Sequence, residues 1–112
     1  MKNIIVISTS LRKNGNSERL ADAFVKGAKE AGHMVEKCSL QGCAMHFCTG
    51  CMTCQHSRQG QCAMPDDADI LIQKMAAADV IAFATPVYFY EMCGQMKTLL
   101  ATVQALLFNI SF

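Results

Sequence analysis

Four of the seven cysteines lie in one short segment, at spacings that suit a metal centre. They form the pattern Cys48-x2-Cys51-x2-Cys54-x7-Cys62. Three cysteines at this close spacing, with a fourth further on, can place four thiolates around one [4Fe-4S] cubane. Zinc also takes four thiolates, although its usual pattern is two separated Cys-x2-Cys pairs, and reduced cytosolic thiols need no ligand. The spacing leaves three interpretations open: an iron–sulfur cluster, zinc, or free or redox-active thiols.

A second group of polar side chains could bind an anion. The segment Ser8-Thr-Ser-Leu-Arg-Lys-Asn-Gly-Asn-Ser17 follows an apolar run and precedes a helical pattern. A loop that leaves a buried strand and opens a helix presents free backbone N–H groups, and the helix dipole favours negative charge there. Its lone Gly15 fits neither a dinucleotide fingerprint nor a Walker loop, so a monophosphate suits the loop better than a pyrophosphate. The alternative is an ordinary polar connection in which Ser17 caps the helix.

A third segment could hold a flat aromatic ligand. It is Thr85-Pro-Val-Tyr-Phe-Tyr-Glu-Met-Cys-Gly-Gln-Met-Lys97, and it follows the apolar run Val80–Ala84, which we expect to be a buried strand. A proline and two tyrosines at the end of such a strand predict an aromatic platform. The alternative is that these rings only pack in the core or at its rim.

Alternating strand and helix patterns must position these segments. Continuous apolar runs predict strands buried on both faces at Asn3–Ser8 and Val80–Ala84, and a less apolar run predicts an edge strand at Met34–Leu40. Gly32 is expected to end the first helix, and Asp66 and Asp67 to cap the second. The helices are expected at 17–31, 68–77 and 94–107, each with an apolar stripe that faces the sheet. The stripe of the first helix is Leu20, Phe24 and Ala28, and that of the second is Ile70, Leu71, Met75 and Ala78. The stripe of the third helix is Met96, Leu99, Leu100, Val103 and Leu107. This β-α-β-α-β-α order predicts one α/β domain, residues 1–112, built on a parallel sheet.

Composition narrows the class of protein. Hydrophobic residues make up 52% and charged residues 17%, which suits a compact α/β core, and a net charge of +1 favours neither nucleic acid nor an anionic membrane. The uncharged stretch 98–112 is shorter than the ~20 residues of a membrane span. The four apolar residues from Ile4 are too few for a signal-peptide core. A soluble cytoplasmic protein is the expectation, and the odd cysteine count argues against a disulfide framework.

Taken together, Ser8–Ser17, Asp66-Asp67, Ala78-Asp79 and Thr85–Lys97 resemble the flavodoxin-like NAD(P)H-dependent FMN reductase family, and within it the iron–sulfur flavoprotein branch most closely. The resemblance covers about residues 1–100. It implies a three-layer α/β fold with parallel strands in the order 2-1-3-4-5. In that order a ligand binds at the switch point between strands 1 and 3, the strands that precede the two loops described above.

The resemblance also implies the ligands and the residues that hold them. FMN would carry the chemistry, with NAD(P)H as the electron donor. The implied contacts are Ser8, Ser10, Arg12, Asn16 and Ser17 toward the phosphate, Pro86, Val87, Tyr88 and Phe89 toward the isoalloxazine, and Cys48, Cys51, Cys54 and Cys62 toward a [4Fe-4S] cluster. Cys93 replaces a serine that relatives usually carry, and no role is assigned to it.

Three functions are compatible with this resemblance. The first is an FMN-dependent reductase that passes electrons from NAD(P)H to a small acceptor such as a quinone or free flavin. The second is an electron carrier whose flavin and cluster exchange electrons with a ferredoxin-like partner. The third is a truncated remnant without enzymatic activity.

The chain differs from the family at its C-terminal end, because members continue through a fourth and a fifth strand. Order 2-1-3 leaves the strand Val80–Ala84 at an edge with apolar residues uncovered. An apolar edge invites pairing with another chain. We therefore expect a homodimer or higher oligomer, formed by pairing of these strands or exchange of the last helix, and weak FMN binding unless a partner chain completes the site.

Overall fold

The computed structural model describes residues 1–55, 62 and 66–103. Its elements agree closely with the predicted alternation, and the predicted extension of the last helix to residue 107 lies outside the described residues. In chain order they are β1 (Asn3–Ser8), α1 (Asn16–Glu30), β2 (Met34–Ser39), a 3-10 turn (Thr53–Gln55), α2 (Ala68–Ala77), β3 (Val80–Ala84), β4 (Val87–Tyr88), β5 (Glu91–Met92) and α3 (Gly94–Thr102). The first three strands form a parallel sheet in the order β2-β1-β3, and β4 and β5 form an antiparallel hairpin.

Strand β1 is the centre of the sheet, and both of its faces are buried as predicted. Ile5 and Ile7 pack into an apolar cluster with residues of α2 and α3, and Ile4 and Val6 pack against α1 on the opposite face. All four are at most 9% exposed. An apolar run without alternation suits this position because successive side chains of a strand point to opposite faces.

The stripe that helix α1 presents to the sheet shares only Ala28 with the predicted one. Ala21 is buried, and Val25 and Ala28 pack against the sheet beside it. Leu20 and Phe24 are 71% and 44% exposed, so their assignment to the core was wrong. The apolar stripe is wide, and its small residues Ala21 and Ala28 pack against the sheet, while Leu20 and Phe24 line a cavity together with residues of β3.

The stripes of the other two helices are partly as predicted. In α2, Leu71 and Met75 are buried, but Ile70 is 64% exposed and Ile72 is buried in its place. In α3 the buried residues are Met96, Leu99 and Thr102, Leu100 is half-buried, and Val103 packs against the core; Leu107 lies outside the described residues.

The expected residues lie at both predicted helix ends, but only Asp66 of the two aspartates makes a side-chain capping hydrogen bond. Gly32 has a φ of +92°, and the amides of Gly32 and His33 donate to the carbonyls of Lys29 and Ala28, which is a Schellman motif. Asp66 accepts a 2.9 Å hydrogen bond from the amide of Ala68 at the start of α2.

The carboxylate of Asp67, in contrast, accepts a 2.7 Å hydrogen bond from the amide of Ala44. Asp67 occupies the N-cap position of α2, but its carboxylate ties the segment that precedes the cysteines to this helix and makes no capping hydrogen bond.

Strand β3 is not buried on both faces, which corrects the expectation drawn from its apolar run. Val80, Ile81 and Phe83 are 39%, 37% and 44% exposed. The reason is topological: in the described part of the chain β3 pairs with β1 alone, so its other edge is open. The expectation that order 2-1-3 leaves this strand at an edge agrees with the structure. Over the same described ranges, no helix is long and apolar enough to cross a membrane.

Candidate functional site

A crevice opens where β1 and β3 end side by side. The amide of Thr9 donates to the carbonyl of Ala84 at 3.0 Å, which keeps the two strand ends together as the chains diverge into their loops. The cavity between the loops has a volume of about 350 Å³. Its lining comes from the loop after β1, the first turns of α1 and the loop after β3: Ser10, Arg12, Gly15, Asn16, Ser17, Leu20, Thr85, Pro86, Val87 and Tyr88.

One end of this crevice is polar and suits an anion. Gly15 is the N-cap of α1, so the first amides of the helix have no intrahelical partner and lie at this end. The hydroxyl of Ser10 accepts a 3.1 Å hydrogen bond from the amide of Arg12 and donates to its carbonyl at 3.2 Å, which holds the loop in a tight turn. Helix amides, a dipole and the exposed Arg12 guanidinium together favour negative charge.

A second residue braces the same loop from β2. The side-chain amide of Gln41 donates to the carbonyl of Ser10 at 3.3 Å, and the Gln41 backbone amide donates to the hydroxyl of Ser39. Gln41 was not among the predicted site residues. Its only sequence signal is its position just after the β2 strand, at the same sheet edge.

Ser8 is placed differently from the other predicted phosphate residues. It is fully buried, does not line the cavity, and donates its hydroxyl hydrogen to the carboxylate of Glu18. Lys37 on β2 forms ion pairs with Glu18 and with Asp22. The hydrogen bond from Lys37, followed by that from Ser8, lowers the pKa of Glu18, and the hydrogen bonds that Lys37 donates to Asp22 and Glu18 raise the pKa of Lys37.

The other end of the crevice is apolar and comes from the loop after β3. Pro86 is half-buried, and Val87 and Tyr88 are 73% and 54% exposed along β4. Phe89 and Tyr90 form the turn of the β4–β5 hairpin, both with positive φ, and are 91% and 94% exposed. Phe89, a predicted flavin contact, therefore lies at the hairpin tip and outside the cavity lining, whereas Pro86, Val87 and Tyr88 lie within it.

Three cavity residues were outside the predicted set. Thr85 belongs to the aromatic segment but was not singled out, Gly15 was noted only as a lone glycine, and Leu20 was assigned to the core. The signal that could have found Thr85 is its position directly after β3, because parallel strands present their following residues at one edge. Nothing in the helical pattern separates Leu20 from its buried neighbour Ala21.

The four cysteines of the predicted metal centre lie within the described residues and differ in burial. Cys54 is buried, Cys48 and Cys62 are half-buried, and Cys51 is exposed. Within residues 1–55, 62 and 66–103, no group of three or more histidine, cysteine or acidic side chains could hold a metal ion. This arrangement does not fit a [4Fe-4S] cluster, and no chemical step is assigned to one. A hydrogen bond to Thr53 is the main cause that lowers the pKa of the Cys51 thiol.

His46 and Asp66 connect the cysteine segment to α2. The Asp66 carboxylate accepts a 2.9 Å hydrogen bond from the His46 amide and lies 3.2 Å from its ring Nε2. His56, the second histidine beside the cysteines, lies outside the described residues. Cys38 and Cys43, which precede this segment, pack with the apolar cluster.

The fold and the crevice together define the class of protein. A parallel sheet in the order 2-1-3, with a cleft at the carboxyl ends of strands 1 and 3, is the flavodoxin-like arrangement. Residues 2–109 match the family described as NADPH-dependent FMN reductase. The chain belongs to this family.

The similar proteins include archaeal iron–sulfur flavoproteins. One from Archaeoglobus fulgidus is 37% identical over 89 residues, which are 80% of this chain and 40% of that protein. One from Methanocaldococcus jannaschii is 35% identical over 97 residues, which are 87% of this chain and 49% of that protein. The chain thus spans less than half the length of these relatives.

Solved structures of reductases share the fold. An NAD(P)H:quinone oxidoreductase from Methanothermobacter marburgensis has a TM-score of 0.74 at 19% identity, covering 92% of this chain and 53% of that one. A flavone reductase has a TM-score of 0.66 at 30% identity, covering 87% of this chain and 28% of that one.

Proposed function

We propose that this chain binds FMN in the crevice between the loops after β1 and β3, and that it acts in NAD(P)H-dependent reduction of a small acceptor such as a quinone or free flavin. The observation that carries the proposal is the polarity of the cavity. An anion-binding helix terminus with Arg12 lies at one end, and Pro86 and Tyr88 lie at the other. This arrangement fits a flat, largely apolar molecule that carries one phosphate.

The residues of the chain have binding and orienting roles in this proposal. Arg12 and the first amides of α1 would hold the phosphate, and Pro86, Val87 and Tyr88 would lie against the ring. When bound, FMN supplies hydride and electron transfer by its own chemistry. The proposal therefore assigns no nucleophile or general base to the protein.

The two tyrosines of the hairpin provide a matched test. Tyr88 lines the cavity, whereas Tyr90 is two residues away at the 94% exposed tip. Titration of the purified protein with FMN, followed by flavin fluorescence, should give saturable binding. Tyr88→Ala should raise the dissociation constant about tenfold, on the scale of one lost aromatic contact, and Tyr90→Ala should leave it unchanged.

Two results would count against the proposal. One is wild-type protein that does not bind FMN at micromolar concentration. The other is an equal effect of the two tyrosine substitutions, since that would place the flavin outside this crevice. Oxidation of NADH or NADPH by FMN-loaded protein, with a quinone or free flavin as acceptor, then tests the reductase activity.

A second candidate is an electron carrier that exchanges electrons with a ferredoxin-like partner. The pattern Cys48-x2-Cys51-x2-Cys54-x7-Cys62 and the names of the archaeal relatives support it. The described positions of these cysteines do not, so this function requires that they rearrange on metal binding. Iron and acid-labile sulfide analysis after anaerobic reconstitution distinguishes the two functions, because the reductase alone needs neither element.

We also propose that the chain self-associates through β3. Its open edge and the exposed side chains of Val80, Ile81 and Phe83 support a homodimer or higher oligomer. The exposed Leu20 and Phe24 extend the same apolar region along α1.

A further inference from the structure

A ring of hydrogen bonds lies beneath the crevice and joins its two loops through Cys93. This cysteine is the N-cap of α3 and is fully buried, as is Thr9. Its Sγ lies 3.2 Å from Oγ1 of Thr9 and 3.3 Å from Oγ1 of Thr85. Thr9 is the first residue after β1, and Thr85 is the first after β3, so one thiol contacts the start of both loops.

The donors and acceptors of this ring form a consistent chain. The Thr85 hydroxyl has two acceptors for its one hydrogen, Sγ of Cys93 and the carbonyl of Pro86 at 3.0 Å. The S–H of Cys93 donates to Oγ1 of Thr9, and Thr9 donates to the carbonyl of Ala84 at 3.1 Å. Ala84 precedes Thr85, so the ring closes. The amide of Cys93 donates to Oγ1 of Thr85 at 3.2 Å, which also fixes the end of the hairpin.

We propose that Cys93 is a positioning residue whose thiol sets the separation of the anion-binding loop and the aromatic loop. The inference rests on the proposed FMN site, because it concerns the width of that crevice. Buried polar groups hold their geometry only while they are paired, so removal of the thiol would remove the contact that links the two threonine hydroxyls. Burial would raise the pKa of Cys93, yet hydrogen bonds with the side chains of Thr85 and Thr9 and with the backbone of Met96 and Gln95 outweigh it and lower the pKa.

Four substitutions separate positioning from packing. Cys93→Val keeps an apolar side chain of similar size but removes the hydrogen bonds, whereas Cys93→Ser keeps a donor and acceptor. Thr9→Val removes the hydroxyl that accepts the hydrogen bond from Sγ of Cys93, so it breaks the same ring at a different residue. Cys38→Val is the matched control, since Cys38 is also buried but packs in the apolar cluster between β1 and α2.

The first readout is the dissociation constant of FMN, with the visible flavin spectrum as a check on its environment. We expect about a tenfold weaker affinity for Cys93→Val and for Thr9→Val, and wild-type affinity within about threefold for Cys93→Ser and Cys38→Val. Wild-type affinity in both Cys93→Val and Thr9→Val would overturn the inference while leaving the FMN site intact.

The second readout does not depend on flavin. Residue-resolved amide hydrogen exchange should show faster exchange at Thr9 and at position 93 in Cys93→Val, and unchanged exchange in the core of β1. Uniformly faster exchange across β1 would show a purely structural role and overturn the inference. If wild-type protein binds no FMN, the proposed function fails, and local exchange at these two amides still supports or overturns the link between the loops. Thr9→Val answers the same question if Cys93→Val does not fold.

Discussion

The hydroxyl of Ser8 donates a hydrogen bond to the carboxylate of Glu18, which joins the last residue of β1 to the first turn of α1. A carboxylate close to an anion-binding helix terminus would oppose an anion if it were unpaired. Here Lys37 of β2 pairs with it, and the Glu18 side chain is only 14% exposed. The network therefore joins three elements under the loop after β1 and compensates the acidic charge there.

The acid stability of the protein should depend on Glu18. Its pKa is lowered from the usual 4.5 in the folded state, so its contribution is present above that value and is lost as the pH falls through the folded pKa. Glu18→Gln should reduce the free energy of unfolding by about 1–2 kcal/mol at neutral pH and flatten its decline in acid. Urea unfolding from about pH 3 to pH 7 measures both effects.

Asp22→Asn is the control, because the Asp22 side chain is 60% exposed. It should change the free energy of unfolding by less than about 1 kcal/mol. The prediction would be contradicted if the free energy of unfolding of Glu18→Gln declined in acid as steeply as that of the wild type.

Two glycines at and near the end of α1 should respond oppositely to alanine. Gly32 has a φ of +92°, a conformation that an alanine adopts only with strain, so Gly32→Ala should lower the free energy of unfolding by about 1 kcal/mol. Gly27 lies inside the helix, and the space that an alanine methyl group would occupy there is open, so Gly27→Ala should raise it by roughly 0.5–1 kcal/mol. Thermal or urea unfolding of the two variants compares them directly. A change of the free energy of unfolding in the same direction for both variants would show that backbone conformation does not control this helix end.

Arg12 should distinguish FMN from riboflavin. If its guanidinium contacts the phosphate, Arg12→Ala should weaken FMN binding about tenfold and leave riboflavin binding unchanged, because riboflavin lacks the phosphate. Lys13→Ala is the control, since Lys13 is exposed and does not line the cavity. Fluorescence titration with both flavins at fixed ionic strength makes the comparison. Parallel losses for the two flavins in Arg12→Ala would argue against a phosphate contact.

Self-association through β3 should be sensitive to a charge at its edge. Ile81→Lys places a cation on the open strand, where lysine disfavours edge-to-edge pairing. We expect sedimentation velocity at micromolar concentration to show a dimer or larger species for the wild type and a monomer for Ile81→Lys. Ile70→Lys, on the exposed face of α2, should not alter the assembly. A monomeric wild type would refute the proposal.

Several features follow from local sequence alone. The continuous apolar run Ile4–Ile7 predicted a central strand buried on both faces, which the structure confirms, although the similar run Val80–Ala84 forms a partly exposed edge strand. Gly32 determined the end of α1, because its backbone adopts a conformation that other residues resist. The alternation of strands and helices predicted the parallel sheet, and the resemblance to the family implied the strand order and with it which two loops would meet at the sheet's edge.

The tertiary structure decided which side chains of those loops and helices face one another. Leu20 and Ala21 are neighbours in one apolar pattern, and only the approach of α1 to the sheet makes one exposed and the other buried. Ser8 binds Glu18 and not the crevice, and Cys93 contacts Thr9 across 84 positions of sequence. Periodicity and spacing report local geometry, whereas such contacts depend on how separate elements pack, and no short segment of the chain carries that information.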